Sequence, residues 1–67
     1  MPFIQITIGK GHDEACKREL LTRVSRVASE VTGTPETAFR VWIVEVPATE
    51  VNVGGTILAD ARAQASR

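Results

Sequence analysis

Two runs of branched and aromatic residues, separated by one helical run, constrain this chain more than any other feature. Residues 3–8 alternate, with Ile4, Ile6 and Ile8 on one face and Phe3, Gln5 and Thr7 on the other, the period of two that a strand requires. Residues 39–46 repeat the pattern: Phe39, Val41 and Ile43 share one face, and Arg40, Trp42, Val44 and Val46 share the other. Between them Cys16, Leu20, Val24, Val27 and Val31 recur at helical spacing, with Leu21 and Ala28 widening the stripe. Lys17, Arg18, Glu19, Arg23, Arg26 and Glu30 fall mostly outside it and are expected on the solvated side, with Glu19 and Arg23 as an i,i+4 pair. If the two strands pair, the intervening helix makes them parallel, with a right-handed crossover. The second strand is largely apolar on both faces, which predicts cover on each: the helix on one, and another subunit on the other.

Punctuation residues set the ends of these elements. Gly9-Lys10-Gly11 breaks the first strand, Asp13 is placed to cap the helix, and Gly33 stands where a left-handed C-terminal cap belongs. Thr34-Pro35-Glu36 reads as a single capped turn with proline at its first position. Pro47 closes the second strand. Val51-Asn52-Val53-Gly54-Gly55 reads as a short arm ending in a glycine turn, and residues 56–66 as a partly helical tail that frays at its end. The expected fold class is therefore α+β (α/β): a single domain over residues 1–67, with a parallel strand pair, one long helix and a short C-terminal hairpin.

Size then dictates company. A chain of 67 residues buries only about 60% of the surface its unfolded form exposes. Cys16 is the only cysteine and His12 the only histidine, so neither an internal disulfide nor a Cys/His zinc site is available to staple it. Apolar residues still make up 43% of the chain, which leaves oligomerisation as the staple. Eight acids balance eight bases without a basic stripe, so no nucleic-acid partner is expected. No run approaches the roughly 20 apolar residues of a membrane span, and the opening residues lack a basic secretory leader, so a cytoplasmic location is expected.

Pro2 is the first candidate for chemistry. Removal of Met1 would leave a secondary amine whose pKa starts near 8 and falls further beside a cation or in an apolar setting. Such an amine is a competent general base near neutral pH. The plain alternative is a proline that merely follows the initiator.

Pro-Phe-Ile-Gln-Ile-Thr-Ile, then Gly-Lys-Gly and a charged helix start, resembles the opening of subunits of the 4-oxalocrotonate tautomerase family. Phe39-Arg40-Val41-Trp42-Ile43-Val44-Glu45 resembles their second strand, and Asn52-Val53-Gly54-Gly55 the glycine turn after it. The resemblance covers almost the whole chain without a gap. It implies a β-α-β subunit assembled as a hexamer, a trimer of dimers, with active sites between subunits. It also implies proton transfer by the amino-terminal proline on small enol or α-keto carboxylates, without metal or organic cofactor. Arg40 matches the family arginine that binds substrate carboxylate or enolate charge, a task a guanidinium performs well. Its alternative is an ion pair with Glu45 or Glu50.

Two positions depart from the family. His12 replaces an arginine that binds a far carboxylate, and either contacts substrate or merely begins the helix. Val51 replaces an aromatic that walls the proline; Trp42 could compensate or stack on Arg40, or be an interface residue. Lys10 could supply a missing cation, while Cys16 reads as a small core residue. Three activities remain open: a tautomerase, a heterohexameric 3-chloroacrylate dehalogenase or hydratase subunit in which Glu50 or Asn52 would matter, and a non-catalytic subunit. A homohexamer and a heterohexamer with a related subunit are both compatible with the sequence.

Overall fold

The computed structural model describes residues 1–65. Strand β1 (Phe3–Gly9) leads into helix α1 (Glu14–Thr32), and strand β2 (Arg40–Val46) returns parallel to β1, in register from Phe3 opposite Arg40 to Gly9 opposite Val46. The expected β-α-β unit is thus present; β1 ends one residue later and β2 begins one residue later than expected, while the start of β1 and the end of β2 stand as read. Asp13 caps α1, its Oδ1 accepting the Cys16 backbone N–H at 2.8 Å. Gly33 ends it at φ 74°, with its N–H donating to the Ser29 carbonyl at 2.9 Å.

Pro35 precedes a 3-10 turn (Glu36–Ala38) rather than opening it, so the turn begins one residue later than its proline suggested. Phe39, expected as the first residue of β2, instead closes that turn and is the one buried apolar residue among those described, at 8% exposure. After Pro47 a second 3-10 turn (Ala48–Glu50), not foreseen from sequence, carries the chain into a two-stranded hairpin, β3 (Asn52–Val53) with β4 (Thr56–Ile57). Gly54 and Gly55 both take positive φ in its two-residue turn, the requirement that selects glycine there. Helix α2 (Leu58–Ala65) follows; the expected fraying at Ser66 lies outside the described residues.

Helix α1 covers the Ile4, Ile6, Ile8, Val41 and Ile43 face of the sheet, with Leu20, Leu21, Val24 and Ala28 half-buried against it. Two expectations for this helix need correction. Lys17 is half-buried, because its position one turn before Leu21 points it at the sheet, where its Nζ meets Glu45 Oε1 at 2.8 Å. Cys16 is exposed, and Val27 and Val31 are 55% and 80% exposed, because the apolar stripe is wider than a two-stranded sheet can cover. The Glu19–Arg23 pair is present on the solvent side at 2.6 Å.

The opposite sheet face, bearing Phe3, Trp42 and Val44, is bare. A 7.3 kDa protein that packs normally exposes about 4,200 Å², whereas this chain exposes 5126 Å². The radius of gyration is 15.7 Å against about 11 Å for a compact chain of this length. The excess, roughly 900 Å², matches what one partner commits to a standard protein interface. Hydrophobic surface at this density in an extended 47 × 24 × 16 Å subunit fits an assembled state.

Candidate active site

The parallel register places the candidate residues at two opposite ends of the sheet. At the start of the strands, the Arg40 backbone N–H donates to the Pro2 carbonyl at 3.1 Å, so Pro2 lies beside the first residue of β2. Met1 precedes it and is 73% exposed, while Pro2 itself is half-buried. With Met1 attached, the Pro2 nitrogen is a tertiary amide and cannot act as a base.

Arg40 leaves the sheet on its bare face. Its Nη1 donates to the carbonyls of Thr37 and Phe39, each at 3.0 Å, so the turn before β2 orients the guanidinium. The alternative of an ion pair with Glu45 or Glu50 does not hold: Glu45 is taken by Lys17, and Arg40 has only carbonyl partners among the described residues. Its remaining N–H groups can still receive an anion. Trp42 sits two residues on along the same face and makes an edge-to-face contact with Phe3, ring centroids 6.3 Å apart, rather than stacking on Arg40.

The other end of the sheet, about 25 Å away by strand rise, holds the remaining candidates. Lys10 is tied down by its backbone N–H to the Val46 carbonyl at 2.9 Å, and Val51 by the Leu58 N–H donating to its carbonyl at 2.8 Å. These two bonds flank a cleft of about 270 Å³ whose lining includes Thr7, Lys10, Val46, Val51, Leu58 and Arg62. His12 is exposed at the helix entry and is not among the lining residues. Asn52 Oδ1 is occupied by the Gly55 N–H at 2.8 Å, a turn-forming role, and Glu50 is exposed.

Beneath this end, Lys17 holds the Glu45 carboxyl below its ordinary range by direct hydrogen bonding, with Lys10 and His12 adding weaker attraction. Lys17 in turn is raised, chiefly by the same hydrogen bond to Glu45. The sequence reading passes over both Lys17 and Arg62. Helical spacing puts Lys17 four residues before Leu21 and Arg62 four after the cleft residue Leu58, but it does not show what either meets across the fold.

In a single chain, then, Pro2 and Arg40 are adjacent, Trp42 shares Arg40's face, and Val51 and His12 stand at the far end. No one subunit gathers all five.

The model of the tautomerase enzyme family matches residues 2–61. The 2-hydroxymuconate tautomerase of Pseudomonas putida is 42% identical over 55 residues, covering 82% of this chain and 87% of that protein. In structure, the chain resembles TomN, a 4-oxalocrotonate tautomerase homologue of the tomaymycin biosynthetic pathway, with a TM-score of 0.89 and 34% identity, covering 92% of this chain and 95% of that one. It also resembles a heterohexamer 4-oxalocrotonate tautomerase from Chloroflexus aurantiacus J-10-fl, with a TM-score of 0.84 and 33% identity over 90% of this chain and 97% of the other. A match over nearly the whole chain, joined to likeness in both sequence and shape, makes this protein a member of the tautomerase family and an isomerase of the 4-oxalocrotonate tautomerase type.

Proposed function

We propose that this chain is a cofactor-independent keto–enol tautomerase that uses Pro2, freed by removal of Met1, as the proton-transferring base on small enol or α-keto carboxylates. The observation that carries this reading is the Pro2–Arg40 adjacency: one backbone hydrogen bond of 3.1 Å ties the candidate base to the candidate anion receptor. A guanidinium beside an amine disfavours its ammonium form, leaving the amine free to accept a proton near neutral pH.

The step is a balanced proton shift. The Pro2 nitrogen takes the enol proton, the electron pair left on oxygen re-forms the carbonyl, and the carbon–carbon π pair moves outward to a chain carbon. That carbon then takes the proton back from the prolinium. Arg40 stabilises charge on the oxygen and carboxylate while the proton is in transit, an interaction strongest at the transition state. Because Val51 and the cleft lie about 25 Å from Pro2 along the strand, the site is completed by neighbouring subunits. A hexamer built as a trimer of dimers meets that need, whether from one chain type or from two, and the excess bare surface supports it. Trp42 then serves as a wall between subunits. We place the enzyme in the cytoplasm as one domain; among the described residues no helix is long and apolar enough to cross a membrane.

Mass spectrometry of the native protein checks that Met1 is gone. Pro2→Ala should then lower the rate of enol-pyruvate ketonisation at least tenfold; an unchanged rate removes Pro2 from the mechanism.

A further inference from the structure

We infer that Phe39 is a positioning residue for Arg40: its buried ring fixes the turn whose carbonyls hold one guanidinium nitrogen, leaving the Nε–Nη2 edge open to an anion. The role rests on the proton-transfer reading above, in which Arg40 is the group that receives substrate charge.

Arg40 is exposed, and strand β2 places only its backbone, through the N–H that donates to the Pro2 carbonyl at 3.1 Å. A free arginine side chain in that setting samples many rotamers. This one is held at Nη1, which carries two protons and meets two acceptors, the carbonyls of Thr37 and Phe39, each at 3.0 Å. The Nε and Nη2 N–H groups remain, and together they form an edge that a carboxylate meets with two parallel hydrogen bonds. Both acceptors lie before β2 begins, so the direction of that edge is set by the turn and not by the sheet.

The turn is fastened in three ways. Within it, the Ala38 N–H donates to the Pro35 carbonyl and the Phe39 N–H to the Glu36 carbonyl, both at 3.0 Å. Ser29 Oγ of α1 donates to the Thr34 carbonyl at 2.6 Å, which ties the incoming segment to the helix end. Phe39 is the third fastening, the one buried apolar residue among those described, in a turn that packs against α1. Its backbone is extended, at φ −82° and ψ 146°, so Phe39 and Arg40 send their side chains to opposite sides. The ring goes inward and the guanidinium outward to the bare face. A single planar peptide joins the two residues, and its carbonyl is one of the two acceptors. Any shift of the ring therefore moves the acceptor and the arginine together.

The test is a double-mutant cycle on the full assembled protein, read as ketonisation of phenylenolpyruvate, with native mass and melting checked for each variant. Phe39→Ala should lower kcat/KM at least tenfold, with kcat falling alongside, because a charge-stabilising group moved by about an ångström loses that much or more. Phe39→Leu, which keeps an apolar anchor, should stay within threefold of wild type. In an Arg40→Gln background Phe39→Ala should cost less than threefold further, because the group it positions is gone. An equal loss in both backgrounds makes Phe39 a core residue only and overturns the inference. If Phe39→Ala does not assemble, Thr37→Gly replaces it, since the exposed Thr37 can be cut back to free the turn without opening the core. That variant should lower kcat/KM about threefold when Arg40 is present and leave it unchanged when Arg40 is absent; the same loss in both backgrounds again overturns the inference. Failure of the proton-transfer reading shows separately, as an Arg40→Gln rate equal to wild type. Nitrogen-15 spectra of the guanidinium then decide the positioning role. Wild type should give distinct Arg40 Nη1 and Nη2 signals from restricted rotation, and these should merge in Phe39→Ala or Thr37→Gly. A freely rotating Arg40 in wild type, or one held equally in the variants, overturns it.

Discussion

Trp42 offers a direct measure of whether the bare sheet face is an interface. It is the only tryptophan, it lies on the face opposite α1, and it is 41% exposed in the isolated subunit. A tryptophan presents about 250 Å² when fully exposed, so about 100 Å² of its surface awaits cover. At about 25 cal/mol per Å², covering it contributes about 2.5 kcal/mol for each copy in the assembly. Trp42→Ala should therefore weaken each contact by some 50-fold, since about 1.4 kcal/mol is a factor of ten. The assay is native mass or sedimentation across a dilution series, with the midpoint of dissociation moving to correspondingly higher concentration. Wild-type protein supplies an internal control through its own fluorescence. Emission should be that of a buried indole while assembled and shift to that of a wetted one on dilution. If the variant's midpoint stays within threefold of wild type, or the assembled protein already emits as a wetted indole, the sheet face is not the interface.

Two further perturbations probe the single subunit. Glu45 is lowered and Lys17 raised by their mutual hydrogen bond, so the pair's full stabilisation spans the range between the ordinary carboxylate and ammonium values. It is lost in acid as pH falls through the depressed value of Glu45, and in strong base as pH rises through the elevated value of Lys17. Melting temperature against pH should show both limbs in wild type and lose the Glu45 part of the acid limb in Glu45→Gln; parallel curves would show that the pair contributes nothing. Gly33→Ala should cost about 1–2 kcal/mol, because a Cβ at φ 74° is strained although nothing lies within 4 Å of it. Denaturant melts read that value directly, and no change would mean the helix end refolds around the alanine.

The fold was legible because its local signals agreed. Alternation in residues 3–8, the Asp13 cap, Gly33 and the Gly54-Gly55 turn each act over a few residues, and each appears where its chemistry requires. What escaped the sequence was non-local. Lys17 read as a surface cation because helical spacing cannot show that Glu45 waits across the sheet at 2.8 Å. Cys16, Val27 and Val31 read as core because a stripe shows how much apolar surface needs cover, not how much one chain can provide. The same limit hid Arg62, which lines one cleft with Lys10 because the C-terminal arm returns to the end of β1.

That division explains why the candidate site looks incomplete in one subunit. A parallel β-α-β unit carries its strand starts and strand ends to opposite edges, so Pro2 and Lys10 are held apart by the full length of β1 however the rest of the chain packs. In the assembly proposed above, a second subunit with its strands reversed would bring them together, extending the sheet and placing α1 beside a second α1. The flank of Val27 and Val31, left bare by a sheet too narrow for its helix, is the surface such a neighbour would cover. The missing core and the missing half of the site therefore have one remedy. On the proposed reading, a chain too small to pack alone would gain stability and a complete set of substrate contacts from the same association, and a variant that dissociates the assembly should lose folding and turnover together.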